Sequence, residues 1–157
     1  MLETRRLDVV EPLFGLQAAS RLLAERLAPW MQELGLLVES VEAGRPPGAQ
    51  VDWQPGAVLR LPFTQKICRE GGVACGQALA ALADAAMVIA CAAAWNGYRP
   101  MAPIDQTMHF LRPVNFDVVA DARMVRIGRD ASFGRVMLYS VVDTRPVGMV
   151  AAAYAMT

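Results

Sequence analysis

Residues Glu70 to Trp95 read EGGVACGQALAALADAAMVIACAAAW, and this stretch decides the fold. Glycines fill its opening, and after them it is small and apolar except for one charge, Asp84. Alanine is the best helix former, and nothing between Ala78 and Ala94 breaks a helix. A surface helix carries a polar stripe; this one is apolar on nearly every face, which predicts a buried core helix. A carboxylate in the middle of such a helix is costly unless it is paired, hydrogen-bonded or open to a cleft. Asp84 is therefore the first candidate for function.

Val73 to Trp95 is also long enough to cross a bilayer. Alanine is only weakly hydrophobic, however, and a central aspartate costs about 2.5–3.5 kcal/mol on insertion scales. The segments that follow alternate like strands of a soluble sheet. A buried helix is the reading, and no membrane partner is expected.

The rest of the composition narrows the classes. At 157 residues, 55% of them hydrophobic, the chain suits one ordered domain with a sizeable core. Fifteen basic residues balance fifteen acidic ones with no basic block, which argues against nucleic acid and anionic membrane surfaces. The start, MLETRRLDVVEP, lacks the basic head and apolar run of a secretory signal. Cys68, Cys75 and Cys91 form no CxxC pair, and with the single His109 they make neither a metal set nor a disulfide framework. A cytoplasmic protein without a metal is expected.

Outward from the helix, the N-terminal side predicts a helix capped by Asp8 and running to about Ala28, with Leu13, Leu16, Leu23 and Leu27 at helical spacing. A short turn from Pro29 to Leu34 ends at Gly35. This extension, residues 1–35, is expected to cover the rim of a sheet, or to meet another subunit. Leu36 to Ala43 and Ala57 to Phe63 read as strands joined by a proline- and glycine-rich excursion, with Pro62 marking an edge or an end. On the far side, Asn96 and Gly97 suit a left-handed cap. Strands follow at Ile104–Leu111, Val118–Ile127, Ser132–Val142 and Val147–Met156. In the first of these Ile104, Gln106, Met108 and Phe110 share one parity. The turn Arg112-Pro113-Val114-Asn115 is short, like those after it, and short turns make antiparallel neighbours. The prediction for residues 36–157 is an α+β domain in which about six antiparallel strands curve around one apolar helix.

Three stretches of this pattern resemble the hotdog-fold thioesterases of the phenylacetate-pathway type. LPFTQKICRE, from Leu61, is similar to the family's second strand and the loop after it. GGVACGQALAALADAAM, from Gly71, resembles its glycine-led helix with an acid about two turns in. DQTMHFLRPV, from Asp105, resembles its third strand with the Phe-Leu-Arg-Pro ending. With the GRDASFGRV turn, the likeness spans about Leu36 to Thr157. Many members have His-Gly-Gly where this chain has Cys75-Gly76-Gln77, and often an asparagine where Glu70 stands. That asparagine is thought to help place the nucleophilic water or the thioester, and Glu70 cannot donate an amide hydrogen bond. The resemblance implies acyl-coenzyme A hydrolysis, no cofactor beyond the coenzyme A of the substrate, and a homodimer or homotetramer with sites between subunits.

The residues themselves supply the chemistry. Thioester hydrolysis needs donors for an oxyanion and a group that activates water or attacks the acyl carbon. Gly76 and Gln77 stand where a helix has unpaired N–H groups and the positive end of its dipole. The resemblance makes the Gly76 N–H the oxyanion donor, though the glycines would also serve a tight loop against the sheet. Asp84 is the general base or nucleophile; the alternative is a buried acid bonded to a neighbouring element. Eight helical residues span about 12 Å, too far for Gly76 and Asp84 of one chain to share a carbonyl. Antiparallel helices about a two-fold axis near Ala80 would solve that distance, so at least a dimer is expected.

Cys75, at a helix start, offers a competing nucleophile or a small packing residue. Its only possible histidine partner, His109, lies on a strand. Gln106 and Thr107 border the acyl site by resemblance. Arg112 and Arg129 could meet the phosphates of coenzyme A, or simply be solvated. Trp53, Trp95, Tyr98 and Met101 could line an acyl pocket or pack the core. Two other readings remain. One is a hotdog hydratase or dehydratase, which would want a histidine beside the acid. The other is an acyl-coenzyme A binding domain without catalysis.

Overall fold

The computed structural model describes residues 13–157. The helix read from composition is there as α3, described below, and the strands wrap it. In chain order come helix α1 (Leu16–Arg26), the short helix α2 (Pro29–Gln32), and strands β1 (Leu37–Glu42) and β2 (Gly56–Leu61). A small two-residue hairpin, Cys68–Arg69 against Val73–Ala74, leads into α3 (Gly76–Ala94). Four strands follow: β3 (Met101–Phe110), β4 (Val118–Arg126), β5 (Ala131–Ser140) and β6 (Pro146–Met156). All six long strands form one antiparallel sheet in the order β1-β2-β4-β5-β6-β3.

Alternation sets the inner face. Val118, Ala120, Ala122 and Met124 of β4, with Ser132, Gly134, Val136 and Leu138 of β5, are buried against the helix side. Helix α3 runs along the sheet: Gly76 lies at Phe110, Met87 at Gly134, and Cys91 at Met156. It also touches both edge strands, β1 and β3. Six strands laid flat would be about 24 Å wide, so a helix about 10 Å across can touch both edges only if the sheet curves around it. A Cβ on Gly134 would sit 2.5 Å from Met87 Cε and 2.9 Å from the carbonyl oxygen of Arg123; glycine there lets helix and sheet close together. Among the described residues α3 is the one helix long and apolar enough to cross a membrane, and it is the buried core helix.

Asn96 takes φ 53°, and the N–H groups of Asn96 and Gly97 donate to the carbonyls of Ala93 and Ala92. This is the left-handed cap that Asn96-Gly97 predicts, with both bonds of a Schellman motif. The Asn96 side chain also accepts the N–H of Phe14 at 2.6 Å, tying the N-terminal segment to the helix end.

Three expectations need correction. Helix α1 begins at Leu16 after Gly15, with Leu13 and Leu16 exposed; its buried face is Ala19, Leu22 and Leu23. The proposed cap at Asp8 lies outside the described residues. Of the two places expected for Pro62, an edge or an end, it takes the end: it directly follows β2, which is an inner strand. The segment after β3 is not a hairpin turn, because β3 and β4 are separated by β5 and β6. Three strand spacings are about 14 Å, which the seven residues 111–117 cross easily with a reach of about 23 Å. They pass beneath the start of α3, where Val114 is buried and its carbonyl accepts the N–H of Ala74 at 2.7 Å. Finally, a bulge between Pro103 and Asp105 shifts the parity of β3. Met101 and Pro103 therefore share the helix-facing side with Gln106, Met108 and Phe110, while Ile104 is exposed.

Candidate active site

From residue 76 to residue 90, the helix positions not fully buried are Gly76, Gln77, Ala80, Asp84 and Val88. Four of them repeat every fourth residue, so they form one stripe along a single face. The sheet wraps every other face. The stripe runs beside edge strand β3, whose Gln106 donates from Nε2 to the carbonyl of Ala80 at 3.1 Å. The sequence candidates Gly76 and Asp84 thus lie on the same open side of the helix, with Ala80 midway.

At the helix start, the N–H groups of Gly76 and Gln77 have no acceptor among the described residues, whereas the Cys75 carbonyl already accepts from Ala78 and Leu79. The small hairpin and the crossover hold this end in place. Cys75 N–H donates to the carbonyl of Ile67 at 2.7 Å. Two clefts flank it. One, of about 370 Å³, is walled by Arg69, Gly76, Phe110 and Arg112. The other, of about 250 Å³, is walled by Trp30, Lys66, Cys75 and Gln77. A Cβ on Gly76 would meet Cζ of Phe110 at 3.0 Å, so any larger residue here needs that exposed ring to give by a few tenths of an ångström.

Asp84 sits in a third cleft, of about 260 Å³, whose walls include Arg26, Met31, Tyr98, Met101 and Tyr154. It shares no lining residue with the clefts at the helix start. The N-terminal segment contributes to its wall, with Arg26 stacked 4.8 Å from the ring centroid of Tyr98. Asp84 is half-buried, and its Oδ1 accepts a hydrogen bond from the hydroxyl of Tyr154. Burial pushes the Tyr154 phenol far up, and the negative charge of Asp84 beside it adds to the effect. Sequence reading missed Tyr154. The available signal was its place as the one polar-tipped residue on the helix-facing parity of the apolar strand VGMVAAAYAM.

The remaining candidates scatter. Glu70 is exposed on the turn of the small hairpin, away from the acid. Thr107 and His109 are on the outer face of β3, so His109 is no partner for Cys75. Arg112 edges the Gly76 cleft, but its guanidinium is bound to both carboxylate oxygens of Asp143 and to the carbonyls of Arg145 and Pro146. Its hydrogen bonds, with that of the Arg145 N–H, hold the Asp143 carboxyl at about 2. Arg129 is 93% exposed on the β4–β5 turn. That turn lies at the far end of β5 from Arg112, roughly 30 Å along a ten-residue strand. One chain does not bring the two arginines together. Tyr98 and Met101 line the Asp84 cleft, Trp95 packs on the core under Arg99, and Trp53 donates to Glu42.

A family model described as the thioesterase superfamily matches residues 71–146, from the glycine turn before α3 to the start of β6. No curated protein matches the sequence. Among solved structures, a point mutant of the phenylacetic acid degradation protein PaaI from Thermus thermophilus is 25% identical. The match covers 83% of this chain and 100% of that one, with a TM-score of 0.65. The PaaI protein of the Escherichia coli phenylacetic acid degradation operon is 18% identical over 90% and 91% of the two chains, with a TM-score of 0.72. A Haemophilus influenzae thioesterase is 16% identical over 93% and 92%, with a TM-score of 0.73. The last two are likenesses of fold. The wrapped helix, the glycine turn before it and the matched residues agree: residues 71–146 match the thioesterase superfamily, and the chain has the hotdog fold of these neighbours.

Proposed function

We propose that this protein is a cytoplasmic acyl-coenzyme A thioesterase whose sites are shared between two copies of the chain. The observation that carries the reading is Asp84, the only charge in α3, half-buried and facing a cleft beside an edge strand. In the reaction, Asp84 takes a proton from water while the water oxygen bonds to the thioester carbonyl carbon. The carbonyl pair moves to oxygen, and the resulting oxyanion is held by the N–H groups of Gly76 and Gln77 of a second copy. Collapse restores the carbonyl and breaks the C–S bond. The departing coenzyme A thiolate takes up the proton, leaving the acid product. If Asp84 instead attacks as a nucleophile, its oxygen bonds to the acyl carbon as the C–S bond breaks and the coenzyme A thiolate leaves. Water then hydrolyses the acyl-aspartyl anhydride to the acid product and free Asp84. Coenzyme A enters only as part of the substrate.

Two features support the shared site. Gly76 and Asp84 are about 12 Å apart on one open stripe, and the strand beside that stripe has a free edge with Ile104 and Phe110 exposed. Arg112, beside the Gly76 cleft, is the better placed arginine for a coenzyme A phosphate. A binding domain without catalysis is the second reading, favoured by the Phe110 ring packed on Gly76. The test is Asp84→Asn with a panel of acyl-coenzyme A esters in a thiol-trap assay. The expected result is a loss of about a thousandfold with the oligomer intact. Retained hydrolysis would sink the mechanism, and tight binding without thiol release by the native protein would favour the second reading.

A further inference from the structure

We propose that Tyr154 is a positioning residue for Asp84: its hydroxyl holds Oδ1 of the carboxylate and leaves Oδ2 as the oxygen that meets water or the acyl carbon. The inference rests on the reading of Asp84 as the reacting acid. Tyr154 is 2% exposed, on the helix-facing side of β6, and its hydroxyl reaches one titratable side chain, Asp84. It also lies 3.5 Å from the Asp84 carbonyl oxygen. A buried tyrosine hydroxyl requires an acceptor, and a half-buried carboxylate requires a donor. Each satisfies the other. Oδ2 has no donor among the described residues and is not sealed from solvent, so the free oxygen faces the cleft.

The charged and titratable groups around this pair do not replace the tyrosine. From α1, Arg26 lies over the Tyr98 ring; from the loop after α3, Tyr98 itself lines the cleft. Further along α3, burial pushes the Cys91 thiol up and keeps it neutral. Among the described residues, Tyr154 alone donates to the carboxylate. Because its own phenol is pushed far up, it keeps its proton throughout the working range and acts as a fixed donor rather than as a second base.

The experiment compares kcat and KM for the native protein, Tyr154→Phe and Asp84→Asn. Phenylalanine keeps the ring and removes the donor. Tyr154→Phe should lose about tenfold in kcat with KM nearly unchanged. An unchanged kcat, whatever happens to Tm, overturns the positioning role while an inactive Asp84→Asn leaves the acid's own role standing. An active Asp84→Asn overturns the underlying reading instead. Should Tyr154→Phe fail to fold, 3-fluorotyrosine at position 154 keeps the shape and strengthens the donor. Then kcat must change with KM nearly unchanged, and an unchanged kcat contradicts the proposal.

Discussion

The two halves of the open helix stripe are opposites. At its start, α3 offers N–H groups without acceptors among the described residues, no acid of its own, and walls held by an exposed ion pair between Arg112 and Asp143. Two turns on, every backbone group is consumed by the helix, and the stripe offers an acid clasped by a buried tyrosine. A helix has free donors only in its first turn, so it cannot present an oxyanion site and a mid-helix acid at one place. On the proposed reading these are two half-sites of one chain, each supplying what the other lacks.

That contrast can be broken first at the donors. Gly76→Pro removes one N–H at the first helical position, where proline is favoured. Cys75, at φ −70° and ψ 151°, already has the backbone that a following proline requires. The exposed Phe110 ring must shift slightly to admit the new atoms. The expected outcome is a fall in kcat of about a hundredfold while the thermal midpoint stays within a few degrees. Unchanged kcat would show that this N–H stabilises no charge in the reaction.

A smaller effect sharpens the contrast in stability. The Asp143 carboxyl is held at about 2 in the folded chain, against an ordinary 3.8. A depressed carboxylate contributes stability above its ordinary value and loses it as pH falls toward the folded one. Being exposed, the pair contributes little. Melting curves from about pH 4 to about pH 2 should therefore fall slightly more steeply for the native protein than for Asp143→Asn. Amide exchange should rise first around residues 110–114, with the strand carrying Tyr154 unaffected. Parallel curves would show that the ion pair does not hold the helix-start end.

Much of this fold was legible in the sequence because its signals are local. An alanine-rich helix with one charge can only be core, and clean alternation in β4 and β5 fixes which face covers it. The separation of Gly76 from Asp84 follows from helix rise alone. What was not legible depends on distant contacts. Arg112-Pro113 marks a bend but does not say which strand the chain reaches next; Val114 finds its place only once the helix start lies over it. The leucine stripe of α1 misled because the small Ala19, fully buried, makes the close contact while Leu13 precedes the helix. The bulge at Ile104 reverses a parity that period-two counting cannot see. Tyr154 was hidden because a tyrosine in a strand says nothing about its partner until the helix is laid against it.

The central claim, that the two half-sites come from different chains, has a direct measurement. Asp84→Asn and Gly76→Pro chains, each inactive alone, are co-expressed or exchanged and the mixture assayed for acyl-coenzyme A hydrolysis. In a mixed dimer one site then carries both substitutions and the other carries neither. With half of the dimers mixed, activity should return to about a quarter of the native value. If each site is built within one chain, every site in the mixed dimer carries one substitution. The mixture would then stay as inactive as its components, and the account would be contradicted.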